Sequence, residues 1–296
     1  MKIFITGISG FLGRELAGFL WQSGFEIGGC SSKSERPLEL EDCCLGYHQH
    51  SFGETPKAIW FAGYDAVIHC AIRNESGSRK LNVSSTLQLY SAANEAEVPF
   101  QIFVSSHSSR KSSHSEYGAT KYEIEQHFIA RGQTVLRPGL IVGRGGLFQK
   151  NRDLAARYPL IALPAASKAP VFYVSLNDLL LSVKKILANQ DRGEFNLFFL
   201  EKPILRDFVL ASRGEKQFPK FVLSLPLCLL ISLARLMSRI FPDLKQRYAQ
   251  LAVLQENVSN PDYYRSNLND FVESPESISE AVRHLDNARG IGNDTS

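Results

Sequence analysis

Tyr117 and Lys121 lie four positions apart in the stretch FVSSHSSRKSSHSEYGATKYEIE, and proton chemistry is what that pair could do. On a helix, residues four apart share a face, which brings the Lys121 ammonium near the Tyr117 ring. A free phenol has a pKa of about 10, too high for proton exchange at neutral pH. A neighbouring cation favours the phenolate and lowers that value, so the tyrosine can give or take the proton of an alcohol. Just upstream, QIFVSS ends in Ser105-Ser106, followed by His107. A serine at the carboxyl end of a strand can donate a hydrogen bond to a substrate oxygen. The chain holds ten tyrosines, so one Tyr-x-x-x-Lys match could equally be an exposed pair on an amphipathic helix.

Glycines offer a second piece of chemistry. Gly7-Ile-Ser-Gly10-Phe-Leu-Gly13 follows the apolar KIFIT and opens a helical pattern. Gly7 suits a tight turn, Gly10 lets backbone approach a pyrophosphate, and Gly13 lets the helix lie close to the strand. The helix N-terminus presents unpaired N–H groups and a favourable dipole to phosphate. Gly7, Ser9, Gly10, Phe11, Leu12 and Gly13 are therefore expected to cradle a dinucleotide.

The elements around these residues alternate. KIFIT, FEIGGC, DAVIHCA, QIFVSS and QTVLRP read as strands. Between them, FLGRELAGFLWQSG and the stretches 81–95 and 117–131 read as helices, with a turn-rich segment after FEIGGC. This order predicts an α/β, Rossmann-like doubly wound parallel sheet, with the loops after its strands gathered along one edge. The expected division is a dinucleotide-binding domain over 1–140 and a smaller, mainly helical substrate-binding part over 141–290. The strand VFYV and the helix after it, around 171–190, are expected to return to the first domain.

Bulk properties narrow the partners. A formal charge of +3 without a basic run gives no support for nucleic-acid binding. Five cysteines (Cys30, Cys43, Cys44, Cys70, Cys228) lack metal-site spacing and read as reduced thiols in a cytoplasmic protein, with no metal. The apolar start runs directly into glycines and does not read as a signal peptide. The stretch FVLSLPLCLLISLARLM falls short of the roughly 20 residues that span a bilayer. A buried helix starting near Pro226 is expected there, with peripheral membrane contact as the alternative.

The G-x-x-G-x-x-G spacing resembles the extended short-chain dehydrogenase/reductase family, in its sugar-nucleotide-modifying epimerase/dehydratase group. The resemblance continues in order: Asp65-Ala-Val-Ile-His69-Cys70-Ala71, Asn82 in LNVSSTLQL, Ser106 with Tyr117 and Lys121, Leu136-Arg137-Pro138 through Gly143, and Val174 to Asp178. It implies that Ser106, Tyr117 and Lys121 are catalytic, with Ser105 or His107 as alternatives to Ser106. It also implies that Cys70, Ala71, Asn82, Tyr117, Lys121 and Pro138 border the cofactor. His69 is expected to be packed, and Asp178 to serve helix capping. Cys70, Ile72, Val142 and a short serine–tyrosine loop depart from the family pattern.

NAD-preferring members carry an acidic residue at the end of the second strand. Here Ser31-Ser32-Lys33 stand there, with Arg36 nearby, which favours NADP(H) and leaves NAD(H) open. The resemblance implies a nucleotide-activated sugar as substrate; Arg144, Arg152 or Lys168 could meet its diphosphate, with surface solvation as the commoner fate of each. NADP(H) would favour reduction of a keto-sugar nucleotide. The alternatives are a UDP-glucose 4-epimerase-like enzyme with tightly held NAD, and a non-catalytic NADP(H)-binding sensor or assembly protein. A homodimer is compatible with the resemblance.

Overall fold

The computed structural model describes residues 1–113, 115–157, 160–164, 170–213, 221–226, 229, 232 and 263–290. Its first half runs β1 (Lys2–Thr6), α1 (Phe11–Gln22), β2 (Glu26–Ser31), β3 (Cys44–Gln49), β4 (Ala66–His69), α2 (Arg79–Glu95), β5 (Phe100–Val104), α3 (Glu116–Ile129) and β6 (Thr134–Pro138). There follow β7 (Leu140–Val142), α4 (Gly146–Arg157), β8 (Leu160–Pro164), β9 (Tyr173–Ser175), α5 (Leu176–Asn189) and β10 (Glu194–Leu197). Last come α6 (Leu205–Ala211), β11 (Phe221–Leu225), α7 (Leu268–Phe271) and α8 (Ile278–Gly290).

Seven strands form the main sheet in the order β10-β6-β5-β4-β1-β2-β3. β1 pairs in parallel with β2 on one side and β4 on the other, Ile3 lying opposite Ile27 and Ala66. β4–β5, β5–β6 and β2–β3 are parallel as well. Ile3, Phe4 and Ile5 are wholly buried, as expected for a parallel strand covered on both faces. Phe4 packs on Phe61 at 4.6 Å between ring centroids, within a cluster that includes Val67 and Leu89. Burying such a side chain contributes about 1.5–3 kcal/mol. The strand order reverses between β1 and β4, and at such a switch point the carboxyl ends open a crevice for ligands.

The chain divides into two compact units. The first holds Met1–Ser112, Glu116–Arg137 and Leu180–Phe195; the second holds Ser113–Ser115, Pro138–Leu179 and Asn196–Ser296. The boundary between the units falls inside α5. β9 pairs with β7 in a small sheet of its own, while the helix from Leu180 onward belongs to the first unit. A second two-stranded sheet pairs β8 with β11, so Phe221–Leu225 is a strand ahead of the expected helix. Most of that helix, Cys228, Lys168 and the last residues of the chain lie outside the described residues. Among the described residues, no helix is long and apolar enough to cross a membrane.

The unread strand is β3. It forms the outer edge of the sheet, and its Leu45 is 72% exposed, so its apolar pattern does not alternate towards a core. Cys30, Cys43, Cys44 and Cys70 are free thiols, and no metal-ligating cluster is present among the described residues.

Candidate functional site

The glycine loop leaves β1 through Gly7, whose φ of +71° lies in the left-handed region. A Cβ on Gly7 would stand 2.8 Å from the Ala71 backbone, so the loops after β1 and β4 meet with no room for a side chain. Gly10 N–H donates to the Gly7 carbonyl at 2.9 Å and then serves as the N-cap of α1, with no side-chain cap. No acidic residue occupies the first turn of α1. A Cβ on Gly13 would lie 2.4 Å from the Gly7 carbonyl oxygen, so glycine is what lets α1 lie this close to its strand. Ser9, Phe11 and Leu12 are half-buried around this uncapped terminus. The loop therefore fits a dinucleotide pyrophosphate, because its first-turn N–H groups lack a side-chain acceptor of their own.

The turn after β2 carries no carboxylate until Glu35. Ser31 is buried and its Oγ lies 2.7 Å from the Tyr47 hydroxyl, which donates to the Lys33 carbonyl at 2.9 Å. Arg36 is tied back to the Cys44 carbonyl at 2.6 Å. Ser32 and Lys33 are left exposed at the tip. Tyr47, on the strand that sequence reading passed over, is thus the brace of this turn.

At the end of β4, His69 is buried with Nε2 2.9 Å from Gln101 Oε1, and burial pushes its pKa down to about 4. It is a neutral core histidine. Asn82 is buried at the second turn of α2 and accepts the Arg73 N–H at 2.8 Å while donating to the Arg73 carbonyl at 2.9 Å. It holds the loop after Ala71 rather than facing outward. Glu116, next to Tyr117, accepts N–H groups of Gly77 and Arg79 at 3.0 and 3.1 Å and so caps the start of α2.

The end of β5 and one face of α3 bring the proton-transfer candidates together. Lys121 is buried and its Nζ donates to the Val104 carbonyl at 2.6 Å. The same ammonium lies 5.8 Å from the Tyr117 ring centroid and 4.7 Å from that of Phe103. Burial pulls the Lys121 pKa down to about 8, opposed by Cys70 and Glu125. Cys70 follows β4, and burial pushes its thiol up to about 12 against the pull of Lys121.

Ser106 lies near enough to the Tyr117 hydroxyl to favour its ionised form, while its Oγ lies 3.0 Å from Ser108 Oγ and accepts the Ser108 N–H at 3.2 Å. Tyr117 is 39% exposed as a residue, yet desolvation of its hydroxyl pushes its pKa up to about 12, outweighing the pull of Ser106. The ammonium sits over the ring, anchored by Val104, and the hydroxyl meets Ser106.

The alternatives to Ser106 have other partners. Ser105 Oγ donates to the buried Glu125 at 2.8 Å, and His107 Nε2 lies 3.3 Å from Arg110. Arg137 grips Glu125 with a fork, Nε to Oε2 at 3.0 Å and Nη2 to Oε1 at 2.9 Å. Removing one member of such a buried pair leaves an uncompensated charge. Arg137→Leu is expected to lower the urea unfolding free energy by about 3–5 kcal/mol. The double variant with Glu125→Leu should recover much of that loss; equal destabilisation of both variants would contradict the pairing.

Pro138 is the last residue of β6 and belongs to the second unit. Within that unit Asp178 accepts the Glu276 N–H at 2.8 Å, and Ser175 caps α5 by accepting the Asp178 N–H at 3.0 Å. The arginines read as diphosphate anchors are otherwise engaged. Arg152 pairs with Asp286 at 2.7 Å, which neutralises it, and Arg144 is fixed on the Leu285 carbonyl at 2.8 Å.

Solved structures of similar fold are distant in sequence. A nucleoside-diphosphate-sugar epimerase from Staphylococcus aureus superposes with a TM-score of 0.76 at 14% identity, over 96% of this chain and 100% of that one. An NADPH-dependent quinone oxidoreductase from Escherichia coli, complexed with NADPH, gives 0.75 at 16% identity over 96% and 99%. UDP-glucose 4-epimerase from Thermotoga maritima, with UDP-glucose, gives 0.62 at 18% identity over 76% and 86%. No curated protein matches the sequence. The model of the NAD dependent epimerase/dehydratase family matches residues 3–179, well over half of the chain, and the chain belongs to that family.

Proposed function

We propose that the protein is an NADP(H)-dependent reductase of a keto-sugar nucleotide. The observation that carries this is the meeting of the Ser106 and Tyr117 hydroxyls beside a buried Lys121, on the sheet edge that also holds the uncapped glycine loop. Tyr117, with its pKa at about 12, holds its proton at neutral pH and is suited to give it to an oxygen gaining negative charge. Ser106 orients that oxygen by hydrogen bonding, and Lys121 supplies positive charge beside it. When bound, NADPH supplies the hydride that makes carbonyl reduction possible. Gly7, Gly10 and Gly13 would hold its pyrophosphate, and Ser32 and Lys33 would hold a 2′-phosphate.

The substrate reading is supported by the fold likeness to a nucleoside-diphosphate-sugar epimerase and to a UDP-glucose 4-epimerase with UDP-glucose. The NADPH-bound oxidoreductase of similar fold accords with the cofactor reading. The test is to mix the protein with NADPH and keto-sugar nucleotides bearing uridine, thymidine or guanosine. Stoichiometric loss of nicotinamide absorbance is expected. Isomer formation without that loss would mean epimerisation on retained NAD, and binding without turnover of any of them would mean a sensor.

Cofactor choice has its own test. Lys33→Glu is expected to weaken NADPH about tenfold, the scale of one charged hydrogen bond, and to leave NADH unchanged or tighter. Titration of nicotinamide fluorescence reads both. Equal affinity of wild type and variant for NADPH would remove Lys33 from the site.

A further inference from the structure

The end of β5 is fastened to α3 at three successive residues. Val104 accepts from Lys121 through its carbonyl, Ser105 donates to Glu125 through its hydroxyl, and Ser106 meets Tyr117. Residues 117, 121 and 125 follow at steps of four and so lie along one face of α3. The function proposed above uses Ser106, Tyr117 and Lys121 and leaves Ser105 and Glu125 without a role.

Glu125 is wholly buried, one helical turn beyond Lys121. It accepts from Ser105 and from both prongs of Arg137, whose Nη2 also reaches Glu194 at 2.5 Å. Arg137 stands on β6 and Glu194 on β10, so two further strands of the sheet hold the carboxylate in place. A buried carboxylate with these donors cannot rotate away without leaving several of them unpaired.

We propose that Glu125 and Ser105 are positioning residues of the Ser106–Tyr117–Lys121 site. Ser105, tied to Glu125, fixes where the next residue presents its hydroxyl to Tyr117. Glu125 also sets a negative charge behind the Lys121 ammonium and favours its protonated form. The groups facing Lys121 are Glu125 and Tyr117 on α3 and Cys70 after β4, with Arg137 and Glu194 behind Glu125. Loss of the Glu125 charge exposes Lys121 to Arg137 uncompensated, so both effects lower the pH at which Lys121 gives up its proton. The inference rests on the reading above only for its effect on turnover.

The charge arm is read on the cofactor-free protein, with lysines carbon-13 labelled at Cε and followed by NMR titration. The Lys121 signal is the one lost in Lys121→Met. In the wild type it should titrate at about pH 8, apart from solvated lysines near 10.4. Glu125→Gln should move that midpoint to lower pH. Glu125→Asp, which keeps the charge one methylene further back, should give a smaller shift in the same direction and guards against a misfolded amide variant. Ser105→Ala should leave the midpoint in place and lower kcat about tenfold with NADPH affinity unchanged, the effect of one lost hydrogen bond to a charged group. An unmoved Lys121 midpoint in a folded Glu125 variant would overturn the charge role. Wild-type turnover by Ser105→Ala would overturn the positioning role. If no keto-sugar nucleotide turns over, the function reading fails while the titration still decides the inference.

Discussion

Tyr117→Phe is expected to lower kcat about a thousandfold, within the range by which a positioned general acid accelerates proton transfer. The variant keeps the aromatic ring that lies 5.8 Å from Lys121 Nζ, so the packing of α3 on β5 should be preserved. It removes only the hydroxyl that meets Ser106. NADPH affinity should stay within about twofold, because the glycine loop and the β2 turn are untouched. Single-turnover kinetics, paired with fluorescence titration of NADPH, separates the two quantities. A loss of less than tenfold would mean that another donor delivers the proton, and the Tyr117 assignment would fall.

Gly13→Ala is expected to have the largest effect on binding. The added Cβ would lie 2.4 Å from the Gly7 carbonyl oxygen and 2.8 Å from the Ile8 Cα, both backbone atoms that cannot swing aside. α1 must therefore move off its strand, at a cost of about 1–3 kcal/mol in overpacking. Its first-turn N–H groups move with it. Losing one or two charge-assisted hydrogen bonds to phosphate corresponds to a fall in NADPH affinity on the order of a hundredfold. Gly18 supplies the control, since it lies on the same helix and a Cβ there meets nothing within 4 Å. Gly18→Ala should bind NADPH as the wild type does and gain up to about 1 kcal/mol in stability from helix propensity. Equal behaviour of the two variants would remove the close approach of α1 and the loop from the account.

The contrast between these glycines shows what a sequence can disclose. Local signals survive reading: a strand feeding spaced glycines, a helix after them, and a tyrosine four residues before a lysine. Each depends on neighbours along the chain. β3 escaped because an edge strand with an exposed Leu45 has no inward pattern to read. Tyr47 escaped with it, although it braces the turn that bears Lys33.

Long-range partners were the other blind spot. Ser105 and Ser106 look alike in sequence, and only the approach of α3 gives one to Glu125 and the other to Tyr117. Glu125 finds Arg137 twelve residues away, and Arg137 finds Glu194 fifty-seven away, spacings that carry no pattern. The sole hint was a carboxylate one turn beyond Lys121. Arg144 and Arg152 show the same limit, since their partners on α8 lie far along the chain. β9 pairs with β7 in a small sheet of its own, since strand partners are chosen by the fold rather than by the run itself.

The most direct measurement follows deuterium from NADPH labelled at the transferable position of its nicotinamide. The protein is mixed with the label and a keto-sugar nucleotide, and the product is weighed by mass spectrometry. One deuterium is expected in each reduced sugar nucleotide per NADP⁺ formed, accumulating about a thousandfold more slowly with Tyr117→Phe. An unlabelled isomer, or labelled product formed equally well by Tyr117→Phe, would contradict the proposed reduction.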